Sequence, residues 1–357
     1  MIARALEFVV PGDLRTATGG YHYDRRIIAG LRELGWSVTV HALDASFPFP
    51  TSSAIEQARA AFAGIREGAL VLVDGLAFGA MPLVVAEHAS RLKFVALIHH
   101  PLAAESGLVA AVAQDLECSE RRALSSARHV VVTSDATREA LRAYDVAPKR
   151  VSVVEPGTEE ARFAVGAREH RAPKNAVSLL CVASVTPRKG HALLIEALSS
   201  LASLPWHLTS VGPTARSPST MSELRDQIAR AGLVDRVTFV GEMDDHEVAS
   251  FYQTAELFVL PTLYEGYGMA VAEAIAHGLP VISTRTGAIP ELVGESAGLL
   301  VPPGDVRALS EALARVLREP ELLAALTEGA AAGRSTLPRW PEVCERMSRV
   351  LEQAGEL

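Results

Sequence analysis

Charged side chains that could bind a phosphorylated ligand follow two apolar runs. Arg188 and Lys189 are adjacent after "SLLCVASV", and an arginine fork beside a compact lysine charge suits a diphosphate. Glu265 and Glu273 flank the turn "GYG" that follows "LFVLPT". Two carboxylates could form a glycosidase acid pair, clamp the hydroxyls of a ligand, or be surface charge.

The residues around Glu273 favour the interpretation that the two carboxylates bind the hydroxyls of a ligand. The segment "MAVAEAIAHG" predicts a short helix from Met269 to Ala276, closed by Gly278. The neighbours of Glu273 are apolar, so we expect a largely buried helix whose carboxylate needs partners. The free backbone N–H groups at the helix start could bind an anion between the two glutamates.

Two further motifs lie in the first half of the chain. Gly19 and Gly20 precede a helical run, where glycine lets backbone N–H groups approach a phosphate, although such a pair more often serves a turn. His99 and His100 follow the strand-like "FVALI". Adjacent histidines without a third ligand at metal spacing argue against a metal site, which leaves a structural histidine and a ligand-binding one as equal alternatives.

The elements that must position these residues alternate between strand and helix along the chain. This alternation of strands and helices predicts an α/β fold with two Rossmann-like, doubly wound parallel sheets. We place the first domain at residues 1–165, the second at 176–335, and an amphipathic helix at 338–357 that is expected to pack back on the first domain. Because such sheets bind ligands outside the carboxyl ends of their strands, the chemistry should lie in a cleft between the domains.

Composition excludes several other classes of protein. The chain has 357 residues, with 34 Lys+Arg against 42 Asp+Glu and a net charge of −8, which argues against a nucleic-acid partner. Three widely spaced cysteines, Cys118, Cys181 and Cys344, indicate a reducing compartment. The most apolar stretch is broken by Asp74 and Pro82, and the first residues read as a strand. We therefore expect a cytoplasmic protein, with peripheral contact at the inner membrane face as an alternative.

Four segments together resemble the retaining glycosyltransferases of the GT-B fold, specifically family 4. These segments are "GGYHYDRRIIAGLRELGWSVTV", "ASVTPRKG", "FVGEMDDHEVASFYQTAELFVLPTLYEGYGMAVAEAIAHGLPVISTRTGAIPELV" and "SAGLLVPPGD". The resemblance covers essentially the whole chain. Two departures are Ala183 and Ser184, where the family commonly has "GR", and "PGTE", where many members have "PNGV".

The resemblance implies roles for individual residues. Glu265 and His99, with His100 as its rival, match residues near the donor sugar, and Glu273 matches the glutamate that holds the ribose hydroxyls. Arg188 and Lys189 match the pair that neutralises the diphosphate leaving group. Two backbone loops are the remaining donor-binding matches. The first contains Gly19 and Gly20, and the second contains Gly266, Tyr267, Gly268 and Met269.

The resemblance further implies transfer of a hexose from a GDP- or UDP-sugar to a hydroxyl of a glycan, lipid or small molecule, with no cofactor. No metal is expected, since Asp244 and Asp245 fit helix N-cap positions. The alternatives are a nucleotide-sugar epimerase or hydrolase and a non-transferring partner subunit. The acceptor should bind the first domain, where Arg121, Arg122 and Arg128 could contact anionic lipid or be solvated.

Overall fold

The computed structural model of the chain describes residues 4–164 and 176–356. It divides into two compact units, the first formed by Met1–Gly157 with Pro338–Leu357 and the second by Thr158–Leu337. The predicted first domain runs to residue 165, whereas the chain from Thr158 onward packs with the second unit. Residue 165 and the rest of the predicted linker as far as residue 175 lie outside the described residues.

The described part of the first unit contains a parallel sheet of six strands in the order β2-β1-β3-β4-β5-β6. Its strands β3 and β4 are almost continuously apolar and buried, as strands covered by helices on both faces must be. The strands are β1 (Ala5–Pro11), β2 (Ser37–Leu43), β3 (Leu70–Asp74), β4 (Lys93–Ile98), β5 (His129–Val132) and β6 (Val151–Val153).

Helices of the first unit pack around this sheet. The first helix begins at Gly19 itself, with Thr18 as its N-cap, whose side chain accepts a hydrogen bond from Tyr21 N at 3.2 Å. The two glycines therefore form the first turn of the helix and do not precede it. The helices are α1 (Gly19–Glu33), α2 (Ser52–Gly64), α3 (Gly75–Phe78), α4 (Pro82–His88), α5 (Ala110–Ser125) and α6 (Asp135–Ala140).

The described part of the second unit repeats this architecture with six parallel strands in the order β12-β11-β10-β7-β8-β9. The order reverses between β10 and β7, so the loops that follow these two neighbouring strands meet at the carboxyl edge of the sheet. The strands are β7 (Val177–Val182), β8 (Trp206–Val211), β9 (Val237–Gly241), β10 (Leu257–Leu260), β11 (Val281–Thr284) and β12 (Gly298–Val301).

Helices of the second unit cover both faces of that sheet. In α12 the residues Leu309, Leu313 and Val316 recur at helical spacing and are buried in the core, which fixes the helix on the sheet. The helices are α7 (His191–Ser199), α8 (Pro218–Arg230), α9 (Asp245–Thr254), α10 (Met269–Ala276), α11 (Ile289–Val293), α12 (Val306–Arg318) and α13 (Pro320–Gly333). The predicted helix from Met269 to Ala276 has the same bounds as α10.

The last helix, α14 (Trp340–Glu356), belongs to the first unit and packs against α1, β3 and β4. A Cβ atom on Gly30 would lie 2.2 Å from Cys344 Sγ, so this glycine allows α1 and α14 to cross closely. Trp36 Nε1 donates a hydrogen bond to Ser348 Oγ at 2.9 Å. None of the helices in the described ranges is long and apolar enough to cross a membrane.

Candidate active site

The basic pair lies on a tight turn after β7. Arg188 and Lys189 end a short 3-10 helix, and Gly190 follows with a left-handed φ of 72°. A Cβ atom on Gly190 would lie 2.0 Å from Pro261 O, so only glycine lets this turn lie directly against the end of β10. The loops after β7 and β10 are brought together in this way.

Glu265 faces that pair. Its carboxylate Oε1 accepts a hydrogen bond from Lys189 Nζ and lies 3.6 Å from Arg188 Nη1. Thr262 Oγ1 lies 3.4 Å from the same oxygen. Glu265 is only 8% exposed, and a buried carboxylate of this kind is stable only beside cations and donors. The structure therefore assembles the predicted Arg188, Lys189 and Glu265 into one cluster.

The backbone between Glu265 and α10 is held from both sides. Arg188 Nη1 donates to Tyr264 O at 2.8 Å, and a Cβ atom on Gly287 would lie 1.7 Å from Glu265 O. Gly268 adopts a φ of 101° at the N-cap of α10, and no side chain caps that helix. The helix N-terminus, with its partial positive charge, thus follows directly on the loop that carries Glu265.

Glu273 has different surroundings. Its Oε2 accepts a hydrogen bond from the buried Tyr252 hydroxyl at 3.0 Å. Burial raises the pKa of Glu273 to about 7, the negative charges of Asp245 and Glu159 add to the rise, and the hydrogen bond from Tyr252 opposes it. With this raised pKa, the carboxyl group of Glu273 changes its charge near neutral pH. Glu265 contacts Lys189 and Arg188, whereas Glu273 contacts Tyr252. The two carboxylates therefore do not share a set of partners, and the arrangement gives no support to a glycosidase acid pair.

In the first unit, His99 lies between two buried carboxylates. Its Nε2 is 3.4 Å from Asp24 Oδ1 and 3.5 Å from Asp74 Oδ2, although neither contact has hydrogen-bond geometry. A Cβ atom on Gly20 would lie 3.4 Å from His99 Cδ2, so the first turn of α1 lies against the ring. His100 Nε2 instead lies 3.7 Å from Glu105 Oε2. The structure therefore brings together Gly20 and His99, two of the predicted residues.

Sequence reasoning missed the partners of these groups. In the sequence Asp74 only interrupts an apolar run, although a polar residue at a strand end is a signal for a site. Asp24 lies on the same face of α1 as Ile27 and Ile28, and this spacing could have placed it inward. Tyr252 resembles any other core aromatic in the sequence.

Two groups of acidic residues bear on the expectation that no metal is bound. Asp244 is the N-cap of α9, accepts a hydrogen bond from Glu247 N at 2.8 Å and forms a capping box with it, which confirms its predicted role. Asp245 is the first residue of that helix. In the first unit, Asp24, Asp74 and His99 each offer a ligand atom, and these atoms lie within 4.8 Å of one another. By distance alone, this group could hold a cation.

The arginines proposed for lipid contact are partly engaged within the protein. Arg121 Nη2 donates to Glu117 Oε1 and to Ala143 O, both at 2.7 Å. These bonds hold the side chain along α5 and the turn after α6. Arg121 thus has partners within the first unit, and contact of these arginines with lipid stays a prediction.

Comparison with solved structures defines the fold. The chain superimposes on sucrose-phosphate synthase of Thermosynechococcus elongatus with a TM-score of 0.81 at 22% identity, over 97% of this chain and 98% of that one. It superimposes on HepE of Anabaena, solved with UDP and glucose, with a TM-score of 0.73 at 17% identity, over 97% and 99% of the chains. At these identities the likeness concerns the fold, which is the predicted GT-B fold.

Sequence comparison identifies the family. Residues 166–332 match the family described as glycosyl transferases group 1, and residues 69–162 match glycosyltransferase family 4. The chain belongs to the group 1 glycosyltransferases of family 4, as predicted.

Individual relatives are similar over different lengths. The chain is 29% identical to the MMP alpha-(1->4)-mannosyltransferase of Mycolicibacterium hassiacum, over 87% of this chain and 76% of that protein. It is 31% identical to the D-inositol 3-phosphate glycosyltransferase of Saccharomonospora viridis, over 59% of this chain and 52% of the relative. The match to the latter thus spans about half of the relative's length.

Proposed function

We propose that this glycosyltransferase moves a hexose from a GDP- or UDP-sugar to an acceptor hydroxyl, with retention at the anomeric carbon and without a metal ion. The observation that carries the proposal is the convergence of Arg188, Lys189 and Glu265 beside the uncapped N-terminus of α10. These groups come from the loops after two neighbouring strands, at the point where open α/β sheets bind nucleotides.

The chemistry requires charge stabilisation more than a strong base. When the bond between the anomeric carbon and the phosphate oxygen breaks, negative charge develops on the diphosphate and positive charge on the sugar. Arg188 and Lys189 are cations that would stabilise the negative charge of that diphosphate, and the N-terminus of α10 adds a partial positive charge. Lys189 has three N–H donors, so it can hold Glu265 and still donate to a phosphate oxygen.

The acceptor hydroxyl then forms the new bond on the face that the phosphate leaves. Its proton passes to the departing phosphate, so the step needs no protein nucleophile. Glu273, with Tyr252 at its side, would bind the ribose hydroxyls of the donor. The complex of HepE with UDP and glucose supports a nucleotide-sugar donor for this fold.

The acceptor binds the first unit in this proposal, at the loops after β1, β3 and β4. A relative named for D-inositol 3-phosphate supports a polyhydroxylated acceptor, and one named for mannosyl transfer supports a hexose as the transferred group. A glycan, a lipid-linked sugar and a small molecule all present such hydroxyls. Contact with a membrane surface would follow only for the lipid-linked case.

The test is thermal stabilisation of the purified chain by UDP-, GDP-, ADP- and dTDP-sugars, each in EDTA and in Mg²⁺. A ligand that binds the folded state raises the melting temperature, so we expect a rise with GDP- or UDP-sugars in EDTA. Arg188→Gln should abolish the rise, whereas Arg225→Gln, on an exposed position of α8, should retain it. A rise that requires Mg²⁺ would refute metal independence, and no rise with any sugar would refute the donor class.

Turnover and stereochemistry are then measured with the donor so identified. Candidate acceptors are monosaccharides, polyols and their phosphates, and product formation is followed by release of the nucleoside diphosphate. The anomeric configuration of the product is read by NMR, and inversion would overturn the retaining mechanism.

A further inference from the structure

The cluster around His99 is built from three separate elements of the first unit. Asp24 comes from α1, Asp74 from the end of β3 and His99 from the residue after β4. Both aspartates are at most 1% exposed. Burying two carboxylates beside one ring nitrogen costs free energy unless a positive charge compensates their negative charges.

The charge balance points to a protonated ring. Neither oxygen of Asp24 has a hydrogen-bond partner in the described structure, while Asp74 accepts one bond from Leu76 N at 2.8 Å. His99 Nε2 is the basic atom that both carboxylates face at ion-pair distance. The neighbouring Arg25 donates instead to Leu14 O at 2.6 Å. Arg25 therefore acts on Asp24 only as a nearby charge, and among the described residues a neutral imidazole would leave both carboxylates without an ion-pair partner.

Two further described residues that contact His99, Tyr23 and Thr133, are uncharged. Tyr23 of α1 presents its ring edge-on to His99, at a centroid separation of 5.4 Å, and its hydroxyl donates to Val154 O. Thr133, which follows β5, donates to His99 O at 3.2 Å and so fixes the backbone of the histidine. The side chain of His99 is 20% exposed while Nε2 is buried, so the exposed part of the ring is elsewhere.

We propose that Asp24 and Asp74 are positioning residues that hold His99 as an imidazolium with Nε2 directed into the unit. His99 then meets the ligand of the transfer reaction as a cationic hydrogen-bond donor and cannot act as a general base. This proposal rests on the proposed function for its consequence in catalysis. Its structural part, the charge state of His99, does not depend on any donor or acceptor.

The titration behaviour of the cluster agrees with this geometry. Burial alone lowers the pKa of His99, but the close interactions of the ring with the carboxylates of Asp24 and Asp74 outweigh burial and raise the pKa to about 10. Burial raises the pKa of Asp24 to about 6, against the effect of His99. The ion pair is therefore expected at neutral pH. Since the pKa of His99 is raised, its stabilising contribution is lost as pH rises through that raised pKa.

The direct test is the side-chain nitrogen spectrum of the full-length ¹⁵N-labelled chain between pH 6 and pH 9, with the His99 signals assigned from His99→Gln. We expect both ring nitrogens of His99 to keep imidazolium shifts at pH 8. A neutral ring at pH 8 in the unmodified protein would overturn the proposal, whatever its transfer activity. The charge state is read from the wild-type spectrum, and if His99→Gln does not fold, the His99 signals are assigned through the contact of the ring with Tyr23.

Variants then assign the effect to the carboxylates. Asp24→Asn or Asp74→Asn should lower the pKa of His99 enough for titration to appear within the range studied. Asp115→Asn, which removes an exposed carboxylate on α5 of the same unit, should leave the His99 signals unchanged. Equal behaviour of Asp24→Asn and Asp115→Asn would contradict the assigned role.

A metal ion in place of the proton is the other outcome that would overturn the proposal. It would appear as a stoichiometric metal in the purified chain and as a change of the His99 signals on addition of EDTA. Addition of Zn²⁺ or Mn²⁺ to the metal-free chain should leave these signals unchanged if the ring is already protonated.

The pH dependence of kcat/KM supplies the catalytic readout. In Asp24→Asn, His99 should lose its proton in the neutral range, so kcat/KM should fall progressively between pH 7 and pH 9 and recover toward pH 6. A purely structural role of Asp24 would lower kcat/KM by the same factor at every pH, and that result would refute the positioning role.

Discussion

Replacing Glu273 by glutamine should make the ligand-free protein more stable above neutral pH. Burial raises the pKa of Glu273 from 4.5 to about 7, so the fold prefers the neutral form. Between these values the folded state binds more protons than the unfolded state, and the free energy of unfolding falls as pH rises through this window. Glutamine is neutral at every pH and can still accept the hydrogen bond from Tyr252.

The size of the effect follows from the shift. A rise from 4.5 to about 7 corresponds to about 3 kcal/mol at full burial. The residue is partly exposed, so solvent screening reduces this, and we expect about 1 to 3 kcal/mol at pH 8. That gain corresponds to a rise of roughly 2 to 4 °C per kcal/mol in the melting temperature of a unit of this size. At pH 5 the gain should be small.

The assay is thermal unfolding of wild type, Glu273→Gln and Glu196→Gln at pH 5 and pH 8. Glu196 is exposed on α7 of the same unit and provides the same chemical change without burial. Binding of the identified nucleotide sugar should weaken by about tenfold or more in Glu273→Gln, because a charged acceptor of two hydroxyl groups is lost. A variant less stable than wild type at pH 8, or an equal gain at both pH values, would refute the reasoning.

Further predictions concern the loops around Glu265. Lys189→Ala should lower kcat on the order of 100-fold in steady-state assays, since one group that neutralises the leaving diphosphate is removed, and unchanged kcat would contradict its role. Gly287→Ala should weaken donor binding and lower the melting temperature far more than Gly294→Ala, because its Cβ would meet Glu265 O at 1.7 Å whereas Gly294 has open space at a similar φ. Asp244→Ala should cost about 1 kcal/mol in denaturant unfolding through loss of the N-cap, and no loss would show that the cap is dispensable.

The alternation of apolar runs and helical periods was enough to predict both parallel sheets, since strands covered on both faces must be continuously apolar. Placement of Arg188, Lys189 and Glu265 followed from the rule that ligands bind at the carboxyl ends of such strands. The short helix after Glu265 was also predictable, because Gly268 and Gly278 delimit an apolar segment.

The partners of the site residues could not be predicted in the same way. Tyr252 reaches Glu273 from a different helix, and Asp24 and Asp74 reach His99 from two other elements. Such pairings depend on the register and rotation of packed elements, which local patterns do not specify. A polar residue on a helix is usually assigned to solvent, and for Asp24 this assumption is wrong.

The return of α14 to the first unit has a consequence for synthesis of the chain. Trp340, Met347 and Leu351 are buried in the first unit, yet they leave the ribosome after the whole of the second unit. The second unit is contiguous in sequence and can fold as soon as it emerges. Until α14 is synthesised, α1 exposes the apolar face that α14 later covers. A nascent chain that stalls before residue 340 therefore carries a completed second unit and an unfinished first one, and it is a natural substrate for chaperones.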